Sequence, residues 1–145
     1  MTSYSYKNDI LGADTATGWK SLRDVLSVQN KPVYIYNSNT IEKRIQALKT
    51  ALSGIGFTAH YAVKANANKD VLALIKKNGF GVDVVSMGEA KWSLENGFKP
   101  SDIIFSGVAK SKEELTFAIQ QQIKQINVES LPELERIGQL CKTLK

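Results

Sequence analysis

The chain has 145 residues, room for one domain, and its 43% hydrophobic and 23% charged residues are the balance of an ordinary soluble globular protein. No apolar run approaches the roughly 20 residues that span a bilayer, and the opening MTSYSYKNDI lacks the basic-then-apolar layout of a secretory signal. The single cysteine, Cys141, cannot form an internal disulfide, so the expected setting is reducing and cytoplasmic, away from membranes. The net charge of +5 comes from scattered lysines with no basic block and no interleaved aromatic residues, which argues against a nucleic-acid partner.

Residues 1–31 are polar and weakly periodic and read as an extended or poorly ordered lead-in to a regular domain over 32–145. From Pro32 onward, short runs rich in valine and isoleucine alternate with stretches of helical period. The runs are VYIY at 33–36, FTAHYAV at 57–63, GVDVV at 81–85, DIIFS at 102–106 and QINVE at 125–129, five in all. Between and after them lie the apolar stripes Ile41, Ile45, Leu48 and Leu52; Val71, Leu72, Leu74 and Ile75; Leu115, Ala118 and Ile119; and Leu134, Ile137, Cys141 and Leu144. Ser86 with Glu89, Ser111 with Glu114 and Ser130 with Glu133 each fit the S-x-x-E capping box at a helix start. Gly79, Gly81 and Gly97 stand where helices stop, as C-terminal caps prefer.

An alternation of strand and capped helix implies parallel strands joined by right-handed crossovers. Two architectures fit: an open doubly wound sheet, or an α/β barrel of eight strand–helix units. With about five units present, the barrel reading makes this chain a partial barrel.

The sharpest candidate for chemistry is Lys64. Along 57–63, Phe57, Ala59, Tyr61 and Val63 share a face suited to packing under helices, whereas Thr58, His60, Ala62 and Lys64 share the other. That puts Lys64 at the C-terminal end of a parallel strand, where such folds keep their active sites. Apolar neighbours there would disfavour its ammonium form and free the amine for imine chemistry; the alternative is a strand-end lysine reaching into solvent. Asp83, inside VDVV, needs a partner within a parallel sheet, either Lys64, a polar cofactor group or the backbone. His60 is read as a hydrogen-bonded core histidine rather than a base, and Cys141 as core packing.

The segments YAVKAN, N-x-x-VL, GFGVDVVSMGE, IIFSGVAKS and INVESLPELERI resemble, in order, those of the diaminopimelate decarboxylases. These are members of the alanine-racemase-like barrel group that also holds ornithine and arginine decarboxylases. The resemblance runs from about Pro32 to about Ile137. It implies a pyridoxal 5'-phosphate (PLP) cofactor held covalently by Lys64, an acidic position near the cofactor at Asp83 and a second at Glu89, with no metal. The capping box with Ser86 accounts for Glu89 equally well. Ala109 stands where the family often has glycine, in FSGxGK.

The reaction implied for a complete enzyme is decarboxylation of meso-diaminopimelate to L-lysine by a homodimer. The pyridine partner, the phosphate loop and the substrate pocket would come from later segments, so this chain is expected to be an inactive N-terminal portion. Other readings are an ornithine or arginine decarboxylase, a non-catalytic PLP-binding protein, or an interaction domain that needs no cofactor.

Overall fold

In the computed structural model, which describes residues 4–15, 17–27 and 31–144, the chain divides between Gly56 and Phe57 into two compact units. In the first, strands β1 (Tyr4–Lys7), β2 (Ile10–Thr15) and β3 (Gly18–Ser21) form an antiparallel meander. Lys7 pairs with Ile10 across a two-residue turn in which Asn8 and Asp9 take φ of 49° and 60°, a left-handed geometry that short polar side chains tolerate. The Trp19 indole donates a 3.1 Å hydrogen bond to Ser5 Oγ, and Lys7 Nζ sits 5.2 Å from the ring centroid. Ser21 caps the short helix α1 (Leu22–Leu26) by accepting from the Arg23 amide.

These strands correct the expectation of an extended or poorly ordered lead-in; residues 1–3, 16 and 28–30, which it also covered, lie outside the described residues. The register explains why no strong period appeared in the sequence. Only Ala13 of the meander's apolar residues is buried, so the sheet has little apolar pattern to display.

The run at 33–36 joins no ladder among the described residues, and Tyr34 is 92% exposed. A strand is defined by its partner, and here the backbone is tied instead by the Tyr4 hydroxyl donating to the Ile35 carbonyl at 3.1 Å. Asn37 then caps α2 (Ser38–Ala51) with its oxygen on the Thr40 amide at 3.0 Å. Of the stripe expected on α2, Ile45 is buried, Ile41 and Leu52 are half-buried, and Leu48 is exposed.

The second unit is α/β: β4 (His60–Ala62), α3 (Lys69–Lys77), β5 (Gly81–Val84), α4 (Met87–Glu95), β6 (Ile103–Phe105), α5 (Lys112–Gln120), β7 (Gln125–Ile126) and α6 (Leu131–Thr143). Its four strands are parallel and lie in the order β4-β5-β6-β7. That is one strand fewer than the five apolar runs. With right-handed crossovers, an order that never reverses puts every helix on one face, the winding of a barrel wall and not of a doubly wound sheet.

The register rows decide which side chains go where. Val82, Val84, Ile103 and Phe105 are fully buried on the face that helices cover, and Leu72, Ile75, Ala90, Leu115 and Ala118 of those helices are buried with them. The opposite face carries His60, Ala62, Gly81, Asp83, Ile104 and Gln125. This is the split of faces that alternation from Lys64 implies. Gly79 and Gly97 end α3 and α4 with φ of 76° and 82°. Gly81 is not a cap. It is a buried strand residue paired with His60, lying so close to its neighbours that a side chain cannot be added.

On α6 the inward face carries Glu133 and Leu140, with Ile137 half-buried; Leu134, Cys141 and Leu144 are exposed. The inward stripe is thus turned about one residue from the expected one, and Cys141 is not core packing. No described helix is long and apolar enough to cross a membrane.

Gly81→Ala is expected to destabilise the chain by about 2 kcal/mol through overpacking. Its Cβ would strike the Asp102 carbonyl and lie 2.6 Å from His60 Cδ2. Urea denaturation followed by circular dichroism measures the loss.

Candidate active site

Strand β4 ends at Ala62, and Val63–Ala65 make one 3₁₀ turn, so Lys64 sits just beyond the strand rather than on it. Val63 is fully buried and anchors the turn, while Lys64 is exposed. The apolar surroundings expected around its amine are therefore not supplied by the described residues. The segment that follows is closely held: the Tyr61 hydroxyl donates to the Asn66 carbonyl at 3.2 Å, and Asn66 Oδ1 accepts from the Asn68 amide at 2.9 Å. The Trp92 indole of α4 donates to the Ala67 carbonyl at 2.7 Å, and Asn68 caps α3 on the Asp70 amide at 2.8 Å.

Asp83 is in register with Ala62 on one side and Ile104 on the other, on the open face of the sheet and towards the end that carries Lys64. Its Oδ1 is buried and has no hydrogen-bond partner among the described residues. A buried carboxylate oxygen left unpaired is costly, so the atom marks a place where a donor belongs. His60 lies at the other end of the strands, level with Gly81, with its Nε2 3.4 Å from Lys124 Nζ. Burial, together with the Lys124 ammonium, holds its pKa below the usual histidine value. That position sets it apart from Lys64.

Glu89 does two things at the end of β5: its amide donates to Ser86 Oγ at 3.2 Å, and its Oε2 accepts from the Val85 amide at 2.8 Å. Glu133 does the same with Ser130 Oγ and the Glu129 amide. In both, the carboxylate reaches one residue beyond the expected box. Of the three serine boxes expected, only Ser111 and Glu114 close the full reciprocal box, and Glu114 Oε1 also accepts from the Met87 amide at 3.2 Å. Hydrogen bonds from the Ser111 and Met87 amides hold the Glu114 carboxyl below the usual range, against the opposing effect of burial.

Sequence reasoning missed the buried ion pair at these loops. Lys110 Nζ donates to the Gly107 carbonyl at 2.7 Å, to the Asn127 carbonyl at 2.7 Å and to Glu133 Oε1 at 2.9 Å, with both side chains almost wholly buried. Burial pushes the Glu133 carboxyl up, but the Glu129 amide and the Lys110 ammonium more than reverse it, leaving the group below its usual range. The capping box had already assigned Glu133, and nothing in AKS marks its lysine as buried. The pair lines a recess of about 210 Å³ with Val108, Ala109 and Arg136. Ala109 has φ of 57°, so the residue standing where the resemblance has glycine takes the conformation that glycine favours.

Residues 38–145 match the family described as "Pyridoxal-dependent decarboxylase, pyridoxal binding domain". The chain belongs to this family. A curated relative, the diaminopimelate decarboxylase of Vibrio cholerae, is 38% identical over 123 residues, covering 85% of this chain and 30% of the relative. The crystal structure of diaminopimelate decarboxylase from M. jannaschii in co-complex with L-lysine superposes with a TM-score of 0.84 at 30% identity, covering 98% of this chain and 33% of that one. The arginine decarboxylase of Paramecium bursaria Chlorella virus, bound to agmatine, follows at a TM-score of 0.72 and 26% identity, covering 82% and 32%. The family fold makes the four-stranded parallel sheet part of a barrel. The chain spans about a third of the length of these relatives.

Two stability measurements check this geometry. Lys110→Met leaves the Glu133 carboxylate buried without its cation and is expected to cost about 3 kcal/mol. Because folding lowers the Glu133 pKa, its contribution is complete above the unfolded value of about 4.3 and is lost as pH falls through the folded one. Denaturation between neutral and acid pH is expected to show a shallower acid loss in Lys110→Met than in the parent. Ala109→Gly relieves the left-handed strain and is expected to raise the thermal midpoint, by about 1 kcal/mol of stability.

Proposed function

We propose that this chain is the lysine-bearing part of a PLP-dependent amino-acid decarboxylase that converts meso-diaminopimelate to L-lysine. The observation that carries the reading is the family match over 38–145, with Lys64 on the turn that closes the first parallel strand and Asp83 on the next strand, in register with Ala62 two residues before it. The diaminopimelate decarboxylases among the relatives favour that substrate. An ornithine or arginine substrate is the second reading, favoured by the weaker likeness to the viral arginine decarboxylase.

The residues present fit the cofactor. Lys64 is an accessible amine that can join a carbonyl carbon. Asp83 Oδ1 is a buried acceptor awaiting a donor, which a polar group of the cofactor or the Lys64 ammonium would provide. Glu89, with its Oε2 on the Val85 amide, would serve the cofactor by holding the loop that closes β5. PLP, when bound, supplies the electron sink for the charge left by departing carbon dioxide. Lys64 would hold the cofactor in place, with Asp83 offering an acceptor to one of its polar groups.

The rest of the site would come from the two thirds of the enzyme that the relatives have and this chain does not span. We take the complete enzyme to be a cytoplasmic homodimer that binds no nucleic acid, and this chain alone to be inactive.

Two outcomes follow. Incubation of the chain with PLP, borohydride reduction and peptide mass spectrometry are expected to find the pyridoxyl group on Lys64 in preference to other exposed lysines. The preference is expected to vanish after denaturation and in Lys64→Ala. Labelling spread evenly over the lysines would sink the assignment of Lys64, and carbon dioxide release from meso-diaminopimelate by the chain alone would sink the claim that it is inactive.

A further inference from the structure

The loop that follows Lys64 is fastened from a different strand–helix unit. Resting on the reading of Lys64 given above, we propose that Trp92 is a positioning residue for it. The indole is 40% exposed, so its place on α4 is not explained by burial of an apolar ring in the core. What it does is directional: Nε1 donates a 2.7 Å hydrogen bond to the carbonyl of Ala67, three residues beyond Lys64 and 25 residues away in sequence from the donor.

Other side-chain bonds shape this segment from within. The Tyr61 hydroxyl reaches the Asn66 carbonyl, the Asn68 amide reaches Asn66 Oδ1, and Asn68 caps the helix that follows. These fix its local curl, and the start of the segment is held by the buried Val63 and by packing of the Lys64 turn on β5. The contact from Trp92 ties it to the helix that follows β5, the strand that carries Asp83. Trp92 thereby fastens the far end of the Lys64 segment to the unit that carries Asp83, while the ladder with β5 holds its near end. It touches neither cofactor nor substrate and acts only through the Ala67 carbonyl.

The neighbouring loops are linked in the same way. Glu114 at the start of α5 accepts from Met87 of the preceding unit, and Glu133 at the start of α6 accepts from Lys110 of the unit before it. Each helix after a strand holds the loop of the previous unit by one polar side chain. At the Lys64 loop the holding group is an indole N–H because the free atom of the loop is a carbonyl.

The test compares the parent chain with Trp92→Phe, which keeps an aromatic ring and loses the donor, and Trp92→Gln, which restores a donor at similar reach. Two readouts are taken: amide hydrogen exchange at Asn68, and the ratio of pyridoxyl label on Lys64 to that on Lys69 after borohydride reduction. In Trp92→Phe we expect exchange at Asn68 to rise and the Lys64 ratio to fall, each about fivefold, the worth of one net hydrogen bond. Exchange in β5 and β6 is expected to stay unchanged, and Trp92→Gln to recover part of both losses.

Unchanged exchange and an unchanged ratio in Trp92→Phe would overturn the proposal. So would losses in Trp92→Phe that Trp92→Gln fails to recover, since these report the ring rather than the donor. If Trp92→Phe loosens the whole sheet, exchange in Trp92→Gln decides: protection of Asn68 close to the parent supports the proposal, and protection lost overturns it. A parent chain that labels Lys64 no better than Lys69 strikes the reading of Lys64 and not the Trp92 contact, which the exchange measurement then settles alone.

Discussion

A parallel strand under helices has one dry face, and a carboxylate cannot go there. In β5 that constraint is visible residue by residue: Val82 and Val84 are fully buried against helices, and Asp83 between them is forced to the opposite face. The same row carries Ala62, two residues before Lys64. A period of two and a parallel register therefore bring a buried acidic oxygen to the end of the sheet where the turn carrying Lys64 begins. No special device is needed to bring it there. It is the packing of the valines that decides it.

The loops at that end are then held by polar side chains. Lys110 and Glu133 bind β6's loop to β7's, Glu114 binds β5's to α5, and Trp92 binds β4's to α4. The Lys110–Glu133 pair also accounts for the rotation of α6. By drawing Glu133 inward it leaves Leu134 and Cys141 facing out, against the pattern that hydrophobicity alone would choose. Burial of such a pair is a costly way to gain stability, but it fixes loop geometry sharply because neither partner can leave without stranding the other.

Much of this was legible in the sequence. Val82, Val84, Ile103 and Phe105 announced their strands, the three serines announced the helix starts, and alternation along the first strand put His60 and Ala62 on one face, as observed. The parts that were not legible share a physical cause. Tyr4–Ser21 forms strands whose side chains are mostly exposed or half-buried, so the sheet rests on backbone pairing and on turns such as Asn8–Asp9, which leave little apolar period. The run at 33–36 has strand composition but no strand partner among the described residues, and composition cannot report partners. Lys110 is a lysine whose burial depends on a carboxylate 23 residues away, and Trp92 acts on a carbonyl 25 residues away. Single-sequence patterns carry no information about such pairings.

The central claim is that Lys64 and Asp83 together face one bound cofactor. A crystal structure of the chain grown or soaked with PLP tests it most directly. The account predicts electron density continuous with Lys64 Nζ and lying over the open face of β4 and β5, with a polar atom of the cofactor or the Lys64 nitrogen within hydrogen-bond distance of Asp83 Oδ1. Density attached to another lysine, or an Asp83 oxygen satisfied by water alone with the cofactor elsewhere, would contradict it.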